Sequence, residues 1–353
     1  MQRIKVNTSV PYDVVIGRDL KNEAVDMYNK KGTKAAILWD EAVPSAYVAE
    51  LGNALEAAGL DVLACALEGG ENAKTIESYE KITRILVEFN LSRSDVVIGI
   101  GGGTVTDLTG FIAATYKRGI RLVQIPTSLL AACDASVGGK NALNLGDTKN
   151  VIGTFYQPSL VLIDTRFFAS LSGEFFSEGC AEIIKTAYLG DSSLVDMLEE
   201  KPLLKNRDDE SYVEEVLARC VEIKARVVES DERDNGLRNI LNFGHTLGHA
   251  IEAESGYKIH HGRAVAMGMV LITRAAEKKG MVEGGTLARM ISILEAHGLE
   301  WRCPYNVNVL LGHVINDKKV RGDKITLILP VKPGECRMEK VEVSALREWF
   351  DVE

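Results

Sequence analysis

The stretch DVVIGIGGGTVTDLTGFIAATY, residues 95–116, decides the fold. Asp95 to Ile100 is apolar without alternation, as expected of a strand covered on both faces. Three glycines, Gly101, Gly102 and Gly103, turn the chain out of it, and Thr104 to Tyr116 reads as helix. Such a turn either serves only to reverse the chain, or lets the backbone approach a ligand and aims helix N–H groups at phosphate. The GxGxxG fingerprint is not met, and no acidic residue stands where that fingerprint places one. Asp107, one turn into the helix, suits a ribose or nicotinamide-side hydroxyl or amide better than a phosphate.

The same alternation extends in both directions. Residues 3–7 and 12–17 read as strands around Pro11, 34–39 and 62–68 as further strands, and 45–59 and 74–90 as helices. Downstream, Arg121 to Pro126 and Leu160 to Asp164 are strands. Strand, helix, strand implies parallel pairing through right-handed crossovers, and its repetition an open α/β sheet. Pro126-Thr127-Ser128 ends a strand at the rim where ligands collect. The segment AACDASVGGKNALN, residues 131–144, reads as a loop, either wrapping a polar ligand or forming a surface turn. Beyond Phe167 the runs 174–189, 194–201, 212–229, 241–254, 264–279 and 287–297 are helical, and only 324–331 and 340–343 look extended. The boundary falls within 166–173, giving a Rossmann-like α/β domain over 1–168 and a mainly α-helical domain over 169–353.

With 353 residues the chain suffices for two cores, and 41 basic against 50 acidic residues favour neither nucleic acid nor an anionic membrane as partner. Six cysteines without CxxC spacing read as reduced thiols of a cytoplasmic protein. No export signal or membrane-spanning run is expected.

Four of the six histidines fall in RNILNFGHTLGHAIEAESGYKIHHG, residues 238–262. His245 and His249 stand four apart in a helical run, on a face that also carries Asn242, and His260 and His261 follow. They are either metal ligands awaiting a carboxylate or helix histidines bonded to backbone and water. Glu182, three before Lys185 in an apolar helix, is either that carboxylate or half of a buried ion pair. If cations such as Arg118, Lys140, Lys185, Lys224, Arg238, Lys318 and Lys319 converge, the ligand bears several negative groups, such as a phosphate and a carboxylate. A metal beside a nicotinamide points to alcohol oxidation.

Over nearly its whole length the chain resembles the 3-dehydroquinate synthase family of the shikimate pathway. The resemblance is carried by GGENAK (69–74), GGGTVTDLTGFIAA (101–114), RGI (118–120), PTSLLAACDASVGGKNALN (126–144), KNVIGTFYQP (149–158), EGCAEIIK (178–185), the run from Lys224 to Glu252, HGRAVAMGM (261–269) and DKK (317–319). It implies NAD as a regenerated oxidant and a divalent metal, zinc first and cobalt as the alternative. The implied metal ligands are Glu182, His245 and His261, which moves His249 from ligand to substrate or proton-transfer residue and leaves His260 without a role. Asp40, Glu71, Lys74, Gly102, Gly103, Asp107, Thr127 and Ser128 are implied to hold the dinucleotide, and Asp134 and Lys140 to reach both nicotinamide and substrate. Asn150, Lys185, Lys224, Arg238, Asn242, His249 and one of Lys318 or Lys319 would contact substrate, and Arg118 the neighbouring subunit's phosphate site, implying a homodimer. The implied reaction turns 3-deoxy-D-arabino-heptulosonate 7-phosphate into 3-dehydroquinate and phosphate by transient oxidation, elimination, reduction and aldol closure.

This chain departs from the family pattern at several positions. Ser128 replaces a second threonine, Asn141-Ala142 replaces Thr-Gly, Asp234 replaces a glutamate, and Arg263 stands where glutamate is common. Arg263 reverses a charge beside a metal ligand, with no compensation visible in the sequence. Competing readings are a sister sugar-phosphate cyclase such as 2-deoxy-scyllo-inosose synthase, a polyol dehydrogenase of the glycerol dehydrogenase type, and a catalytically silent binding protein.

Overall fold

The computed structural model describes residues 1–27, 32–146, 148–316 and 323–350. It divides into two compact units, residues 1–171 with 224–233, and residues 172–223 with 234–353.

The first unit is built on a seven-stranded sheet. In chain order it contains β1 (Gln2–Val6), β2 (Tyr12–Gly17), α1 (Lys21–Met27), β3 (Lys34–Asp40), α2 (Ser45–Ala57), β4 (Asp61–Leu67), α3 (Ile76–Glu88), β5 (Val96–Gly101), α4 (Gly103–Thr115) and β6 (Arg121–Pro126). A hairpin of β7 (Lys140–Leu145) and β8 (Thr148–Phe155) follows, then β9 (Leu160–Asp164). The sheet order is β1-β2-β9-β6-β5-β3-β4, parallel throughout except for the β1–β2 pair.

Alternate residues of each strand enter different cores. Ile37, Val96, Ile98 and Ile100 pack with Leu51 and Leu55 of α2, while Leu38 and Val97 pack with Leu86 of α3 and Leu108 and Ile112 of α4. Burial on both faces is why these strands read as unbroken apolar runs. The chain leaves β3 in one direction to reach β4 and lies on its other side at β5, so the topological switch falls between β3 and β5. Ligands of open α/β sheets collect at the carboxyl ends of such a pair. Here those ends are Asp40 and the three glycines.

The segment 131–144 is not the loop its small residues suggested. Ala131–Ala135 forms a wide helical turn, and Lys140–Leu145 is a strand paired with 148–155. The positive φ of Gly138 (96°) and Gly139 (67°) confines the irregular backbone to the entry of that strand.

The second unit contains α5 (Gly173–Gly190), α6 (Ser192–Glu200), α7 (Glu210–Ser230, whose last turns belong to the first unit), α8 (His245–Glu254), α9 (His261–Lys278), α10 (Thr286–Ala296) and α11 (Val307–Asn316). It ends in an antiparallel pair, β10 (Lys324–Lys332) and β11 (Glu335–Glu342), and α12 (Leu346–Phe350). Helix α9 packs on α5 and α8 almost backbone to backbone. A Cβ at Gly268 would stand 2.1 Å from the Gly244 carbonyl oxygen, and one at Gly262 would stand 2.2 Å from that of Glu178. The glycines flanking the histidines are therefore packing surfaces.

Residues 241–254 are not one helix. A 3₁₀ turn over Leu237–Asn242 ends before Gly244, whose φ of 78° breaks the chain, and α8 begins at His245. Asn242 thus does not share the α8 face with the histidines. His261 is the first residue of α9, three residues earlier than the sequence suggested.

Candidate functional site

In the second unit, Glu182, His245 and His261 converge from α5, α8 and α9. Glu182 Oε1 lies 3.5 Å from His245 Nε2 and 3.4 Å from His261 Nε2. The far side of each ring is occupied. His245 Nδ1 lies 3.1 Å from the Phe243 carbonyl oxygen, and His261 Nδ1 lies 3.2 Å from Glu252 Oε2. Both partners only accept, so each Nδ1 carries a hydrogen, and each ring, once neutral, turns its Nε2 lone pair toward Glu182.

Glu182 is wholly buried, and neither of its oxygens has a hydrogen bond among the described residues. Lys185 Nζ pairs with the other oxygen, Oε2, at 2.5 Å. The two readings of Glu182 are thus compatible: Oε2 belongs to an ion pair and Oε1 is left for something else. Two lone pairs and a carboxylate oxygen facing one another fit a cation with nitrogen and oxygen ligands.

The titration behaviour matches this arrangement. Burial pushes His245 down to about 4, so it is a neutral donor at ordinary pH. Burial also opposes charge on His261, but the carboxylates of Glu182 and Glu252 outweigh it and raise this imidazole to about 10. Burial opposes charge on Glu182 too, yet Lys185 and the histidines hold it well below the ordinary carboxylate range. A proton on His261 thus balances the carboxylates of Glu182 and Glu252.

His249 lies beside this group, its ring centroid 5.5 Å from that of His245 and 6.0 Å from that of His261. With Glu252 and His261 it makes a second cluster of metal-ligand type. Within that cluster His261 Nδ1 and Glu252 Oε2 already lie 3.2 Å apart as partners. Arg238 and Lys185 are buried in the same unit. Lys318 and Lys319 lie outside the described residues.

Arg263 is compensated by residues far away in sequence. Its Nη2 lies 3.0 Å from Glu174 Oε1 and its Nε 3.3 Å from Glu178 Oε1. Glu174, Glu178 and Glu182 succeed one another every four residues on α5. His260 stacks its ring on Phe175 at 6.0 Å.

In the first unit, α4 opens at the topological switch with Gly102 as its N-cap. Ser128 stands beside it: a Cβ on Gly102 would meet Ser128 Oγ at 3.6 Å. The Thr127 amide donates to the Gly101 carbonyl at 2.9 Å. Asp40 ends β3 against Gly69, where a Cβ would stand 3.0 Å from its Oδ1. Buried Lys74 is hydrogen-bonded to Asp107 and, at 2.5 Å, to Asn150 Oδ1. Burial lifts Asp107 to about 6 even with Lys74 opposing it. Asn144 joins this group, donating to Glu71 Oε1 at 2.7 Å and accepting from the Asn150 amide at 2.9 Å. Lys224, expected in the helical half, belongs to this unit and pairs with Asp134. Lys140 opens β7 and is exposed. Arg118 is exposed too, and with Lys117 it holds a positive φ, 66° and 49°.

Sequence reasoning missed Asn144, Glu252, Glu174 and Glu178. Only Glu252 carried a local signal, lying within the histidine-rich stretch.

Two family models match consecutive segments: 3-dehydroquinate synthase N-terminal over residues 64–178 and 3-dehydroquinate synthase C-terminal over residues 179–320. A 3-dehydroquinate synthase from Streptococcus suis (strain 05ZYH33) is 38% identical over 98% of both chains. Among solved structures, a 2-epi-5-epi-valiolone synthase from Streptomyces hygroscopicus subsp. jinggangensis 5008 with NAD+ and Zn2+ bound superposes with a TM-score of 0.88, at 27% identity over 99% of this chain and 98% of that one. A 2-deoxy-scyllo-inosose synthase complexed with carbaglucose-6-phosphate, NAD+ and Co2+ reaches the same TM-score of 0.88 at 22% identity, over 99% of each chain.

Proposed function

The chain belongs to the 3-dehydroquinate synthase family, and from that premise we propose how its own residues carry the family reaction. It converts 3-deoxy-D-arabino-heptulosonate 7-phosphate into 3-dehydroquinate and phosphate, with oxidation at C5, phosphate elimination, reduction and intramolecular aldol closure in that order. The observation that carries the assignment of residues is the convergence of Glu182 Oε1 with two imidazole Nε2 atoms whose Nδ1 atoms are already engaged.

Glu182, His245 and His261 hold a divalent cation, and the nitrogen-rich ligand set favours zinc, with cobalt as a substitute. The turn at Gly102 and Gly103, with Asp40, Glu71, Lys74, Asp107, Thr127 and Ser128, holds NAD, and Asp134 and Lys140 reach its nicotinamide side and the substrate. When bound, the cation polarises a secondary alcohol and the NAD takes up and returns a hydride, so no net redox change results. Within the protein, Lys185 keeps Glu182 ionised, while Glu252 and the Phe243 carbonyl fix the orientation of the two rings. His249, beside both rings, moves a proton to or from the substrate. Asn150, Lys185, Lys224, Arg238 and Asn242, with Lys318 or Lys319, bind the hydroxyls, phosphate and carboxylate of a doubly anionic substrate.

Arg118, exposed and in a strained left-handed conformation, serves the phosphate site of a second copy in a homodimer. Cytoplasmic placement is supported by six cysteines without CxxC spacing, read as reduced thiols. No helix among the described residues is long and apolar enough to cross a membrane.

The test is purified protein with NAD, zinc and the heptulosonate phosphate. Equal amounts of phosphate and dehydroquinate without NADH accumulation are expected. Phosphate release without a cyclic product, or persistent NADH, overturns the reading.

A further inference from the structure

Helix α9 begins at His261 and has no cap of its own: the N-cap residue, His260, makes no side-chain cap, and the first turn holds no acidic residue. Free N–H groups at a buried helix start must find acceptors. They find one on α5, where Glu178 Oε2 accepts from the Arg263 amide at 3.2 Å. Gly262 makes the approach possible, because a Cβ there would stand 2.8 Å from the same Oε2. The Arg263 side chain then folds back, placing Nε 3.3 Å from Glu178 Oε1 and Nη2 3.0 Å from Glu174 Oε1. Glu178 is buried, at 7% side-chain exposure; burial opposes its charge, and the amides of Gly262 and Arg263 at the helix start, with His260 and the Arg263 guanidinium, oppose that effect.

Glu178 and Glu182 are four residues apart and project from one face of α5. Glu182 faces the His261 ring while Glu178 grips the backbone one and two residues further on. We propose that Glu178 and Arg263 are positioning residues: a clamp in trans that caps α9 and fixes His261 opposite Glu182 for metal binding. The clamp accounts for a basic residue at 263, where resemblance to the family leads one to expect glutamate. It rests on Glu182, His245 and His261 being the metal ligands.

The experiment measures Co2+ and Zn2+ affinity of the full chain, together with unfolding of the metal-free protein, for Glu178→Gln, Arg263→Lys, Arg263→Gln, Arg263→Glu and His261→Ala. Removing a group that orients a metal ligand typically weakens affinity about 10- to 100-fold. Arg263→Gln is expected to lose about tenfold and Arg263→Glu more, because it adds a carboxylate to Glu174 and Glu178. Arg263→Lys should restore most of the loss. Glu178→Gln keeps an acceptor for the amides but breaks the ion pair, so it should also lose about tenfold and show no further loss when combined with Arg263→Gln. Wild-type affinity in Arg263→Glu and Glu178→Gln, with metal lost in His261→Ala, overturns the clamp and leaves the ligand assignment standing. Wild-type affinity in His261→Ala overturns the ligand assignment and the clamp with it.

Discussion

The polar groups of the two units are arranged on opposite principles. In the first unit charged groups find ionic or amide partners: Lys74 with Asp107 and Asn150, Lys224 with Asp134, Glu71 with Asn144. In the second, Glu182 Oε1 faces two imidazole Nε2 atoms whose Nδ1 atoms are engaged elsewhere. A self-satisfied cluster can exchange its partners for those of an arriving nucleotide. Acceptors pointed at one another need a cation or a proton to be stable. On the proposed assignment, the difference separates a surface that adapts to its ligand from one shaped in advance for an ion.

The strongest way to break this comparison is His261→Ala, which should abolish metal binding and turnover together. Full zinc retention, measured on the dialysed protein, would refute the ligand assignment. Next in size is Glu182→Gln, which leaves the ammonium of Lys185 buried without its carboxylate. Denaturant unfolding of the metal-free protein should show a loss of about 3–5 kcal/mol. Lys74→Met is the counterpart in the first unit and should cost less, about 1–3 kcal/mol. Asp107 already titrates near 6, so it can take up a proton when its partner is removed. Equal costs for the two variants would erase the distinction between the units.

A pH series sharpens it further. In the metal-free chain, the His261 proton contributes stability that is fully present below the ordinary value of 6.5 and lost as pH rises through about 10. Metal binding must displace that proton, so Co2+ affinity should rise about tenfold, or ~1.4 kcal/mol, per pH unit through neutrality. A flat profile followed by visible absorption would show that the ring is already neutral.

Much of the first unit was legible because each strand announces itself locally. The run at 95–100, the glycines after it and the helix beyond need no knowledge of distant residues. The hairpin at 140–155 was hidden because its alternation, with Asn141 and Leu143 inside and Lys140 outside, is short and interrupted by Gly146. The convergence of Glu182, His245 and His261, the proposed metal group, was half legible. Helical spacing brings His245 and His249 to one face, and their centroids do lie 5.5 Å apart. Spacing says nothing about which nitrogen is engaged, so it could not separate them. His261 enters only because α9 folds back along α8, and Glu182 only because α5 packs on α9. Arg263 was unreadable for the same reason: its compensating carboxylates, at 174 and 178, lie more than eighty residues away.

The most direct test of the central claim is the anomalous difference density of a crystal of this protein grown with Co2+ or Zn2+. The predicted result is one strong peak at about 2.0–2.2 Å from Glu182 Oε1, His245 Nε2 and His261 Nε2. A peak instead among His249, Glu252 and His261 Nδ1, or none near Glu182, would contradict it.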